Sequence, residues 1–151
     1  MSIFYATTQK MGKTMQTLAY LGSLMRAKTI NNAIIVCPKS VVRSWEREAN
    51  LILKNMCVPK ASVYAVTSDM GKEKRKRVFA DAFCCSVNAP RLVVTTYGLV
   101  SSHITDLTNI AKTYGDNYWQ YVVLGKSALK YCLIMCMSVF NTRSQHFDYF
   151  M

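Results

Sequence analysis

Met11-Gly12-Lys13-Thr14 brings together residue types that hold a phosphate. Glycine lets the backbone come close, lysine neutralises charge, and the threonine hydroxyl can ligate Mg²⁺. A helical period follows at once, so a helix N-terminus would add free N–H groups. The full pattern G-x-x-x-x-G-K-[ST] is not met, because its first glycine place holds Thr7. On these residues alone, a helix cap is as good a reading as a phosphate site. Two further segments, Cys37-Pro38-Lys39-Ser40 and Thr95-Thr96-Tyr97-Gly98, each follow an apolar β-branched run. Hydroxyls and a lysine at strand ends could hold a nucleic-acid backbone, though taken singly each segment reads first as ordinary turn and cap chemistry. Lys72-Glu73-Lys74-Arg75-Lys76-Arg77 reads as a nuclear address, a nucleic-acid patch or a solvated helix face.

Other chemistry finds no support. Cys84-Cys85 and Cys132-x-x-x-Cys136 do not make a zinc spacing with a nearby histidine. His103 and His146 stand apart from one another, so neither a histidine triad nor a metal centre is indicated. Trp45 and Trp119 read as core or helix-packing residues.

The elements that must position these residues alternate in type. Ala33–Cys37, Ser62–Val66, Arg91–Thr96 and Trp119–Leu124 are near-continuously apolar and β-branched, as strands of a parallel sheet covered on both faces are. Between them, Met15, Leu18, Leu21, Leu24 and Met25 recur at helix spacing after Thr14. Val41, Val42, Trp45, Ala49, Ile52, Leu53 and Met56 do so after Ser40, which reads as an N-cap. Residues 72–83 read as a charged helix with Val78, Ala82 and Phe83 inward, and Leu99–Ala111 as a weaker one. The class is therefore α/β, with right-handed crossovers. Residues 1–9 and 125–151 show no comparable pattern.

The chain has 151 residues, a size that suits one domain or part of one. Nineteen Lys+Arg against 8 Asp+Glu give a formal charge of +11, which favours polyanionic partners. A hydrophobic content of 51% argues against disorder. No apolar run reaches the ~18 residues of a membrane span, and the N-terminus lacks the pattern of a secretory signal. Six cysteines in such a chain are expected to be reduced thiols.

Taken in order, residues 11–18, 35–48, 92–100 and 119–124 resemble the Snf2 family of helicase-like DNA translocases, nearest its Cockayne syndrome group B-like and PICH-like branch. The resemblance covers residues 10–124 and implies an incomplete RecA-like P-loop NTPase lobe: a parallel β-sheet flanked by helices. It implies ATP and Mg²⁺ as cofactors, DNA as partner and the nucleus as compartment. Carried over by position, Gly12, Lys13 and Thr14 would bind nucleotide, with Lys13 on the phosphates and Thr14 on the metal. Lys39, Ser40, Thr95, Thr96 and Tyr97 would touch the tracked DNA strand.

The departures from the family pattern concern catalysis. The family's loop reads Asp-Glu-Met-Gly-Leu-Gly-Lys-Thr, whereas Thr7-Thr8-Gln9-Lys10-Met11-Gly12-Lys13-Thr14 stands here. The Asp-Glu-x-His box expected after Val122-Val123-Leu124 is replaced by Gly125-Lys126-Ser127-Ala128. Without the acidic pair no catalytic residue is assigned and no ATP hydrolysis is expected. Two other readings stand beside this one. One is a nonhydrolytic basic DNA-binding module. The other is a nonfunctional product of a retained intron, in which residues 125–151, and 1–9 with them, are translated intron. A donor reading GTAAGT after the first base of an Asp codon would encode Gly-Lys and then a residue such as Ser, as in Gly125-Lys126-Ser127.

Overall fold

A computed structural model describes residues 2–6, 12–58, 60–83, 89–103, 121–125 and 146–148. Among the described residues the elements follow in the order β1 (Ser2–Ala6), α1 (Lys13–Arg26), β2 (Asn32–Val36), α2 (Lys39–Asn55), β3 (Ser62–Ala65), α3 (Lys72–Phe83), β4 (Arg91–Thr95), α4 (Tyr97–Ser102), β5 (Tyr121–Gly125) and β6 (His146–Asp148). The strands form one sheet in the order β3-β4-β2-β5-β1-β6, and every pairing is parallel. The fold is α/β, consistent with a partial RecA-like lobe.

Strand order fixes the layers. The connections β1→β2 and β2→β3 run in one direction across the sheet, and β3→β4 and β4→β5 run back. Right-handed crossovers therefore place α1 and α2 on one face and α3 and α4 on the other. Side-chain packing agrees for the first face. Leu18, Leu21 and Met25 of α1 and Val42, Ala49, Ile52 and Leu53 of α2 form one buried cluster with Ala33, Ile35, Leu92, Val94 and Val123. Each such leucine or valine contributes about 1.5–3 kcal/mol when fully buried. The alternate residues Ile34, Val36, Val93, Val122 and Leu124 are buried outside that cluster, so both sheet faces are covered. This explains why these strands read as continuous apolar runs and not as alternating ones.

Several expectations shift by a turn or a residue. Ser40 is not the N-cap of α2. Pro38 takes that position, because its ring fixes φ at −58° and its ψ of 143° is extended. Ser40 then falls inside the first turn. In α3 the buried residues among those described are Phe79 and Ala82, Val78 is only partly covered, and the side chain of Phe83 lies outside the described residues. Met15 lies at the rim of the α1 stripe and is 51% exposed. Helix α4 ends at Ser102, and residues 104–111 of the expected helix lie outside the described residues, as do Trp119 and Gln120. Ser2–Ala6, where no element is evident in the sequence, is a strand paired with β5 from Ser2–Tyr121 to Ala6–Gly125.

Candidate functional site

Because every pairing is parallel, the carboxyl ends of the strands share one edge of the sheet. Ligands of open α/β sheets bind beyond this edge, where successive connections leave toward opposite faces. β2 and β4 are neighbours that meet this condition: α2 leaves toward one face and α4 toward the other.

Gly12 is the N-cap of α1 with φ 67° and ψ 13°, a left-handed conformation that glycine adopts at no steric cost. Its carbonyl accepts the Gln16 N–H at 2.9 Å, which starts the helix. Among the described residues no side chain caps this end, and no acid occupies the first turn. A first turn with its N–H groups and the positive end of the helix dipole suits an anion. Lys13 and Thr14 are the first two residues of the helix and are half-buried. These features fit a nucleotide phosphate. For a metal they supply one hydroxyl, that of Thr14. Among the described residues no group of three His, Cys, Asp or Glu could hold a metal ion.

Lys39 and Ser40 open α2 and are exposed. The Pro38 carbonyl accepts the Val41 N–H at 3.0 Å. This helix also lacks a side-chain cap and a first-turn acid. A lysine at a helix N-terminus opposes the dipole by about 0.3–1 kcal/mol. Here the charge is met from elsewhere: Lys39 Nζ lies 2.5 Å from Asp69 Oδ1, on the loop between β3 and α3. Sequence patterning gave no signal for Asp69, since its partner stands thirty positions away on another element.

Thr95 ends β4, and its carbonyl accepts the Cys37 N–H at 3.0 Å. Thr95 is 1% exposed, and its Oγ1 has no hydrogen-bond partner among the described residues. Thr96 is extended (φ −109°, ψ 156°) and caps α4 through its backbone, its carbonyl accepting the Leu99 and Val100 N–H groups at 3.1 Å each. Tyr97 is the first residue of α4 and is half-buried. Lys39, Ser40, Thr95, Thr96 and Tyr97 thus stand at the ends of two adjacent strands. β5 lies between β2 and β1, so Gly12–Thr14 belong to the same edge further along it.

Two described groups outside these loops, Cys37 and His103, are engaged in packing, and Cys57 is a free, exposed thiol. Burial pushes the Cys37 thiol up to about 12, so it stays protonated and un-nucleophilic. The His103 ring packs on Phe79 with centroids 5.2 Å apart. Cys84, Cys85, Cys132, Cys136 and His146 fall where side chains lie outside the described residues.

Comparison with known proteins agrees with this architecture. The SNF2-related domain matches residues 8–127, and the chain belongs to that family. It is 26% identical over 133 residues to the DNA excision repair protein CSB of Oryza sativa subsp. japonica, a match covering 76% of this chain and 11% of that protein. It is 49% identical over 39 residues to Protein CHROMATIN REMODELING 8 of Arabidopsis thaliana, covering 26% of this chain and 3% of that protein. The chain thus spans about a tenth or less of the length of these relatives.

Proposed function

We propose that this chain is a Snf2-type ATP-binding lobe that holds nucleotide at Gly12, Lys13 and Thr14, binds DNA beside β2 and β4, and does not turn ATP over. The observation that carries the reading is the replacement after Leu124. β5 ends at Gly125, and Gly-Lys-Ser-Ala follows Leu124 where the family has its acidic box. Phosphoryl transfer depends on a held metal and on stabilised charge. Bound Mg²⁺ would supply that stabilisation. Thr14 would be a ligand for it, and no acidic pair follows β5 to complete the set. The role left to the chain is positioning: α1 receives phosphate at its uncapped N-terminus, and Lys13 neutralises it.

On the DNA side, exposure divides the five residues. Lys39, Ser40 and Tyr97 are accessible enough to meet a backbone. Buried Thr95 sets the loop, and Thr96 caps α4. Such contacts carry no base information, so binding is sequence-independent and weakens with salt. DNA as partner, the nucleus as compartment and a nearer relation to the Cockayne syndrome group B-like branch all belong to this proposal. The longer alignment with the rice repair protein supports the last of these. The reading is tested by measuring Mg·ATP and DNA binding by wild type, Lys13→Ala and Lys39→Ala. Each variant should lose one ligand and keep the other. Loss of both in either variant, with the fold intact, would count against two separable sites.

A further inference from the structure

We propose that Asp69 is an internal competitor for the phosphate at Lys39, so that DNA must displace this carboxylate to bind. The inference rests on the reading that Lys39 faces DNA.

The loop that carries Asp69 is held in place along its length. Val66 donates its N–H to the Val94 carbonyl at 2.9 Å, which fixes the loop to the end of β3 beside β4. Thr67 is buried, and its carbonyl accepts the Met70 N–H at 3.2 Å, closing a turn around Ser68 and Asp69. From α3, the Arg75 guanidinium donates to the Ser68 carbonyl at 3.1 Å, and the Arg75 N–H donates to the Gly71 carbonyl at 3.0 Å. These bonds hold the turn from both strand and helix, and Asp69 at its tip meets Lys39 at 2.5 Å.

The chemistry of the position is that of a phosphate. Helix α2 presents an uncapped N-terminus without a first-turn acid, and a lysine as its first residue. Such an end attracts an anion. Asp69 provides one from a neighbouring loop. Both partners remain open to water, at 54% exposure for Lys39 and 69% for Asp69. Pairs of that kind are weak and screened by salt, so incoming DNA can replace the carboxylate without disturbing the fold. The bonds at Val66, Met70 and Arg75 keep the turn in place, so only the Asp69 side chain has to move. The device sets a modest threshold on DNA affinity and weakens as salt rises.

The test is a double-mutant cycle on the full chain, using a labelled mixed-sequence duplex read by fluorescence anisotropy at low salt. Wild type, Lys39→Ala, Asp69→Asn and the double variant are compared. Asp69→Asn should tighten binding about two- to fivefold, the span that exposed pairs support. With Lys39→Ala in the background, that gain should shrink to near zero. An equal gain in both backgrounds would mean that Asp69 acts only through net charge, and the competitor proposal fails. It fails as well when Lys39→Ala weakens binding and Asp69→Asn has no effect. If Lys39→Ala binds like wild type, the DNA reading of Lys39 fails first, and the inference with it.

Discussion

Cys37 donates its backbone N–H to the carbonyl of Thr95 across 3.0 Å, at the point where both strands end. This bond fixes the register of two loops that diverge to opposite faces, and it places Lys39 two residues beyond one partner and Thr96 one residue beyond the other. The strand pairing beneath it runs from Asn32–Arg91 to Val36–Thr95, so the geometry of the edge is set by backbone and not by surface side chains.

The Cys37 side chain gives that edge a pH dependence. Its folded value of about 12 lies above the ordinary 9.0 because burial penalises the thiolate. The stabilising contribution is complete below pH 9. It is lost as pH rises toward 12, because the unfolded chain releases a proton that the folded chain keeps. The slope approaches about 1.4 kcal/mol per pH unit in that window. Urea midpoints at pH 8 and pH 10 should fall more for wild type than for Cys37→Ala. Equal falls would show that this thiol ionises as readily in the folded state.

Gly22 sits where α1 meets α2. A Cβ there would lie 2.7 Å from Met56 Sδ and 3.4 Å from Leu53 Cδ2. Gly22→Ala should be near neutral, since Met56 can turn aside and alanine favours the helix by up to about 1 kcal/mol. Gly22→Leu should cost about 1–3 kcal/mol by overpacking. Chemical denaturation of both variants checks the difference, and equal stability would put the two helices further apart than described.

Thr95 carries a buried hydroxyl with no partner among the described residues. Replacing it by an isosteric methyl removes that penalty, so Thr95→Val should hold or raise stability by about 1 kcal/mol. DNA affinity should change little, because the side chain does not reach solvent. A large loss of affinity with unchanged stability would assign Thr95 a direct contact.

Lys39→Ala should lower DNA affinity for all sequences alike and reduce the salt slope by about one. Titrations at several salt concentrations, on two duplexes of different sequence, measure both. A change confined to one duplex would indicate base readout.

The parts of the fold that the sequence displays are those whose local pattern and tertiary role coincide. β2, β4 and β5 are continuous β-branched runs because they are covered on both faces. α1 and α2 show helix spacing because one stripe of each is buried. β1 escapes notice because Ser2-Ile3-Phe4-Tyr5-Ala6 has neither alternation nor turn residues around it, and its identity depends on pairing with β5. The start of α2 is displaced because Pro38 competes with Ser40 for the cap. Asp69 is invisible for a similar reason: a lone acid beside a serine looks like an ordinary turn until the sheet brings it to Lys39.

Nucleotide binding without turnover is decided by an assay of phosphate release. Wild type and Lys13→Ala are incubated with Mg·ATP, with and without duplex DNA, while nucleotide binding is followed in parallel. Wild type should bind nucleotide, Lys13→Ala should lose that binding, and no mixture should release phosphate above background. DNA-stimulated release by wild type that disappears in Lys13→Ala would contradict this reading.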